Sequence, residues 1–311
     1  MKKLFIAIAA LTLSGALLSA QDLSQATELY NNGATALTTK DYTTALENFQ
    51  KALKMGETLG ADGEELVANC KNAIPGVALQ IAKDLIQDSK YDEAKTKIED
   101  AVKLATEYEN NDVLTEAKEL LPVMYTKKGA DALKTKDYAG AAAAFKESYL
   151  ADTTNGKTAI TLAQLYGQLG KSDEAIDMLQ HASWNGEETE AKEQASTIYL
   201  REASSLLKSQ KYADAVKAAE KANSYAENAN AYLIAGQASQ KLGKNNDAIE
   251  NFTKYLELKP NASNSSAITF TVGALYQGAN NKTKALEYYK KVQNDPKFGA
   301  QAKQLITALS K

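Results

Sequence analysis

Residues Leu29–Leu53 read LYNNGATALTTKDYTTALENFQKAL, and the rest of the chain repeats their skeleton. A small residue, Gly33, is followed by a Lys-Asp-Tyr turn and then by Ala45, Phe49 and Ala52 at helical spacing. The same arrangement returns as Ala82 with Ala94, Ile98 and Ala101, as Gly129 with Ala141, Phe145 and Ser148, and as Ala163 with Ala175, Leu179 and Ala182. It continues as Ala203 with Ala215, Ala219 and Ala222, as Gly236 with Ala248, Phe252 and Tyr255, and as Gly273 with Ala285, Tyr289 and Val292. In every set the offsets from the small residue are twelve, sixteen and nineteen. Chance does not preserve three offsets through seven units, so an internal repeat is the first thing to read.

The offsets have a physical meaning. A small side chain lets two antiparallel helices approach closely. The alanine twelve residues on lies beyond the turn and faces back. The bulky residue four positions later sits one turn along the same face and fills the space between the helices. Each unit therefore predicts a helix-turn-helix, and the chain an all-α stack of about seven of them. Pro75, Pro122, Pro260 and Pro296 are expected to fall between repeats, because proline breaks a helix interior.

Small positions advance by 49, 47, 34, 40, 33 and 37 residues. The excess in the first two gaps falls around Glu57–Ala73 and Thr106–Leu121, and predicts lengthened second helices or an extra half-repeat. The expected organisation is a leader over 1–20, irregular repeats over 21–121, a more regular array over 122–297 and a capping helix over 298–311.

This layout resembles the tetratricopeptide repeat family from about Gln25 to the C-terminus. The sixth unit matches best, with Tyr232, Gly236, Ala248, Phe252 and a closing Pro260. Tyr42, Tyr91, Tyr138 and Tyr212 occupy turn positions where the family often has tyrosine, whereas Ser172, Asn245 and Lys282 depart from it. The resemblance implies a right-handed superhelical solenoid whose first helices line a groove. It places groove residues three before, one after and four after the small residue. Carried over, the candidate lining includes Tyr30, Leu37, Leu79, Lys83, Ile160 and Gln164. From later repeats it includes Leu200, Leu233, Gln237, Gln240, Phe270 and Gln277. Tyr30, Gln164, Gln237, Gln240 and Phe270 are expected to be exposed, while each leucine is as readily core as surface. No repeat carries the lysine and asparagine with which some members grip a C-terminal carboxylate. An apolar, amide-rich lining suits an extended peptide or an amphipathic helix.

The N-terminus points to export. Met1-Lys2-Lys3 precedes an apolar run to Leu18 and a small-residue Leu18-Ser19-Ala20 site, the layout of a bacterial secretory leader. The run is shorter than the roughly 20 residues that span a bilayer. Gln21 stands where an acylated cysteine would be, so no lipid anchor is expected. The setting this implies is the periplasm or cell envelope, with secretion as a further possibility. Cys70 is the one cysteine, which excludes an intrachain disulfide and suggests a small buried apolar residue.

Charge and motifs narrow the function. The formal net charge is −3, with both signs scattered and no basic run, so nucleic acid is a poor partner. Gly170-Lys171-Ser172 mimics a phosphate loop, yet Leu165 stands where the loop's first glycine is required and no strand precedes it. His181 and Trp184 are the only residues of their kinds, and one histidine with one cysteine makes no zinc site; no metal or cofactor is expected. Acidic pairs such as Asp173-Glu174 and Glu187-Glu188 fall at helix starts, where they complement the helix dipole. Four Asn-x-Ser/Thr sequons are no more than an Asn- and Thr-rich chain supplies. The reading is a non-enzymatic protein-binding scaffold of the envelope. The alternative is a glycan-binding protein on the same scaffold, and an enzyme would need a buried acid that nothing marks.

Overall fold

The computed structural model describes residues 19–310. The leader expected over 1–20 lies outside them except for Ser19 and Ala20, which open the first helix. Fifteen α-helices and one short 3₁₀ turn are present among the described residues, with no strand. They pair as α1 (Ser19–Thr38) with α2 (Tyr42–Thr58), α3 (Glu64–Gln87) with α4 (Tyr91–Glu107), and α5 (Asn111–Lys134) with α6 (Tyr138–Ala151). After α7 (Gly156–Gln168) and α8 (Ser172–Trp184) come α9 (Glu188–Lys208) with α10 (Tyr212–Tyr225), and α11 (Ala229–Lys241) with α12 (Asn245–Leu258). The last pair is α13 (Ser265–Gly278) with α14 (Lys282–Lys291), followed by α15 (Gly299–Leu309). The chain divides into two compact units, one ending at Leu169 and the other beginning at Gly170.

The turn of each hairpin is set by a backbone rule. Seven residues after the small position the chain enters the left-handed region, at Lys40, Ser89, Lys136, Gly170, Gln210, Gly243 and Asn280. The next amide then bonds the carbonyl five residues back, as Asp41 to Ala36 at 2.9 Å, Asp137 to Ala132 at 3.0 Å and Lys244 to Ser239 at 2.9 Å. That contact closes the last turn of the first helix. In three hairpins the following side chain starts the second helix: the Asp41, Asp137 and Asn281 side chains accept from the amides of Thr44, Gly140 and Lys284. Glycine at 170 and 243 adopts the left-handed turn without the strain the other five residues carry.

Packing inside the hairpins is a volume exchange. Where the small residue is glycine, its partner sixteen positions on is aromatic: Gly33 with Phe49, Gly129 with Phe145, Gly236 with Phe252 and Gly273 with Tyr289. A Cβ built on these glycines would lie between 2.6 and 3.0 Å from the facing ring. Where the small residue is Ala82 or Ala203, the partner is the slimmer Ile98 or Ala219, buried in the same cluster. Gly with Phe and Ala with Ile fill similar volume with its distribution exchanged, whereas Ala203 with Ala219 fills less.

Two expectations need correcting. Pro75 lies inside α3 and Pro122 inside α5, so neither falls between repeats. The excess length sits mostly in these first helices, each of 24 residues, although α2 and α4 at 17 residues are also longer than the 14 of α6 and α10. The reason is that a long helix serves two hairpins. Residues Leu66 to Val77 of α3 belong to the core built with α1 and α2, and Ala78 to Ile86 to the core built with α4. Packing along both halves offsets the roughly 3 kcal/mol that an internal proline costs. Near Pro122, the Ser148 hydroxyl of α6 donates to the proline carbonyl at 2.9 Å and meets Thr126 Oγ1 at 2.8 Å, tying α5 to α6. The boundary expected at Leu121 therefore falls within a continuous helix.

Cys70 is fully buried in the first core, and burial pushes its thiol up to about 12. No helix among the described residues is long and apolar enough to cross a membrane.

Candidate interaction surface

Three pairs of successive first helices touch one another. In the N-terminal unit α1 meets α3 and α3 meets α5; in the C-terminal unit α9 meets α11. Contacts of that extent do not join α2 to α4, α4 to α6 or α10 to α12. Contacts of that extent do not join α5 to α7 or α11 to α13 either, so the closer approach holds for those three pairs of first helices, and a groove would lie along them.

The twelve candidate lining residues do not share one environment. Tyr30, Leu79 and Ile160 are core, with 1%, 0% and 4% of their surface exposed, so the expectation that Tyr30 is accessible is corrected. Tyr30 packs on Phe49 with ring centroids 5.2 Å apart. The cause is angular. At about 100° per residue, positions three before and four after the small residue point only about 60° and 40° away from its buried direction, and the position after it about 100° away. Tyr30, Leu79 and Ile160, three before the small residue, follow it into the hairpin, and Gln164, one after, turns to water, whereas Gln240, four after, is exposed in spite of its angle and Ala34, one after, is buried.

Three more are held by neighbours. Lys83 Nζ lies 2.7 Å from Glu116 Oε1 and ties α3 to α5. Phe270, half-buried, stacks on Phe298 at 5.4 Å and tilts against Tyr289 at 5.3 Å, so the C-terminal cap covers it. Gln277 accepts a hydrogen bond from the Tyr289 hydroxyl at 2.8 Å. The remaining side chains are Gln164 and Gln240, exposed, with Leu37, Leu200, Leu233 and Gln237, half-buried. Leu200 lies on α9 and Leu233, Gln237 and Gln240 on α11, two first helices in mutual contact, with Leu200 packed against the core of α9 to α11 and Leu233 against that of α11 to α14.

Sequence reasoning missed two clusters. The first joins the turn between α3 and α4 to α5: Asp131 accepts from the Tyr91 hydroxyl, from Ser89 Oγ at 3.2 Å and from Lys134 Nζ at 2.6 Å. Lys127 Nζ donates to the Ile86 carbonyl at 3.0 Å and to the Tyr91 hydroxyl at 3.1 Å. Lys134 first, then the Tyr91 hydrogen bond, hold the Asp131 carboxyl well below the usual carboxylate range. A carboxylate whose folded pKa is depressed contributes stability above its unfolded value near 4, and that contribution is lost as pH falls through the folded value. The expected outcome is that the protein loses more stability between pH 5 and pH 2 than its Asp131→Asn variant does, by urea denaturation at each pH. Equal losses would show that the network carries no linkage.

The second cluster is aromatic. Trp184 closes α8 with 74% of its surface exposed and meets His181 edge-on at 5.1 Å. Beside it a cavity of about 110 Å³ runs in among Ile176, Leu179, Ala191 and Ala195 to Tyr225. Tyr225 stacks on Tyr199 at 5.6 Å and 17°, and Lys221 Nζ sits 4.4 Å from the Tyr199 centroid. The available signal was the single tryptophan, which the sequence placed next to a loop and the structure places at a helix end.

These hairpins, their left-handed turns and their small-to-large contacts define an all-α helical-hairpin repeat solenoid. The chain carries tetratricopeptide repeats: residues 132–185 match one sequence model of that repeat and residues 200–263 a second. No curated protein matches the sequence. Among solved structures, a crystal structure of MamA is 22% identical, covering 58% of this chain and 94% of that one with a TM-score of 0.37. MamA residues 41 to the end from Desulfovibrio magneticus RS-1 are 18% identical over 55% of this chain and 92% of that one, with a TM-score of 0.34. The repeats support a protein–protein interaction scaffold, a fold generally without catalysis.

Proposed function

We propose that this chain is an exported, non-enzymatic scaffold of the bacterial cell envelope, periplasmic or secreted, that holds a peptide or helix of a protein partner along its first helices. The leader-like segment from Met1 to Ala20 supports export. The observation that carries the binding reading is the patch on α9 and α11, where Leu200 and Leu233 are half-buried and Gln237 and Gln240 reach water. Apolar side chains there supply affinity, and the amides satisfy a partner's backbone groups.

The test is affinity capture from the envelope fraction, comparing the protein with a Gln237→Arg/Gln240→Arg variant. Both substitutions add bulk and charge at surface positions and leave the helical circular dichroism signal unchanged. A protein retained by the unmodified chain and lost by the variant is the expected result. Equal retention by both would move binding off this patch, and finding the protein only in the cytoplasmic fraction would overturn export.

A further inference from the structure

We propose that the Trp184 cavity is a second docking site, separate from the first-helix patch, that takes a basic peptide segment through one aliphatic side chain. The cavity, at about 110 Å³, is well below the roughly 300–1,000 Å³ of small-molecule sites, so it accommodates a side chain and no sugar ring or cofactor. Its floor is apolar and buried: Leu179, Ala191 and Ala195 are each at most 2% exposed. Its mouth carries Trp184, the most exposed of the large hydrophobic side chains in the described part of the molecule. A solvent-facing tryptophan beside a preformed apolar hole is the arrangement of an interface anchor, since tryptophan dominates binding energy at such places. Scattered single hydrophobics on a surface need no explanation, but one that borders an apolar cavity is part of a continuous apolar surface.

Charge selects the occupant. From Ser172 to Ser196, seven acidic side chains stand against Lys192 as the lone lysine or arginine, although the whole chain is only −3. Lys192 is the one charged side chain among those that line the cavity, and helix periodicity sets acids beside that lining. Asp177 lies on the face of Gln180 and Trp184, three and seven residues on; Glu187 and Glu188 share a face with Ala191 and Lys192. Lys192 is itself paired with Glu188 at 2.5 Å, and Lys221 on the neighbouring helix is engaged over the Tyr199 ring. Acids in the first turn of α9 also complement its dipole, but Asp177, in the middle of α8, does not serve that purpose. A rim of this sign steers and retains lysine- and arginine-rich segments and repels acidic ones.

Because Trp184 is the single tryptophan, its emission reports on this site alone. The probe is the capped peptide Lys-Arg-Leu-Lys-Arg, titrated into the full-length protein at low salt. A saturable change in Trp184 emission is expected. The Lys-Arg-Ser-Lys-Arg peptide should bind about tenfold more weakly or worse, as loss of a buried leucine side chain implies. An Asp177→Lys/Glu187→Lys variant with unchanged circular dichroism should weaken binding by about tenfold, and raised salt should weaken it further. The Gln237→Arg/Gln240→Arg variant should respond as the unmodified protein does, so failure of this site and failure of the first-helix patch are read separately. An equal response to Glu-Asp-Leu-Glu-Asp, or no response to any peptide, overturns the proposal. So does a saturable response to chito-oligosaccharide, which would make the site a glycan platform. An emission change on concentrating the protein alone would assign the site to a second copy and overturn it as well.

Discussion

Replacing Gly236 by alanine lowers the stability of the protein by about 1–3 kcal/mol, the cost of overpacking a tight contact. The added methyl falls 2.6 Å from Cδ1 of Phe252, a distance that forces the ring or the helix to move. Phe252 is buried in a core shared with α13, so the ring has no free side to turn toward. The same physics predicts a partial rescue. Adding Phe252→Leu removes the ring that the new methyl meets and recreates the alanine-with-aliphatic pairing seen at Ala82 and Ile98. Thermal or urea denaturation of the two single variants and the double variant reads the coupling directly. If the double variant loses the sum of the two single losses, the volume-exchange account of these hairpins is wrong.

Leu79→Ala costs about 2–5 kcal/mol, the range for truncating a fully buried leucine. Gln237→Ala, on the partly exposed patch, stays within about 0.5 kcal/mol. The family pattern treats the two positions as members of one groove, and the structure separates them into core and surface. Urea denaturation distinguishes the two accounts. An unchanged midpoint for Leu79→Ala would return that side chain to the groove.

The hairpins within each unit are legible in the sequence because the contacts that define them are local, at most nineteen residues apart across a short turn, and leave constant offsets in the chain. The left-handed residue seven after each small position belongs to the same local geometry, and Gly170 and Gly243 mark two of its seven places. The groove is legible only as a set of positions. Which of them reach water depends on angle: Gln164 and Gln237, one past the small residue, face outward or partly so, while Tyr30 and Ile160 follow the small residue inward.

The prolines mark where local reading stops. Taken alone, Pro75 and Pro122 say that a helix ends, and the structure runs a helix through each because two neighbouring hairpins pack on its two halves. Phe270 reads as a groove aromatic until the C-terminal helix lays Phe298 over it. Trp184 reads only as a lone aromatic until α8, α9 and α10 place an apolar cavity beside it. By itself, then, the sequence determined the helical hairpins, their turns and the alternation of small and large side chains within them, because each is a short-range constraint written in adjacent residues. The tertiary structure alone decided which prolines a helix tolerates, which groove positions face water and where an exposed aromatic gains a cavity, because those depend on helices that the local pattern does not bring together.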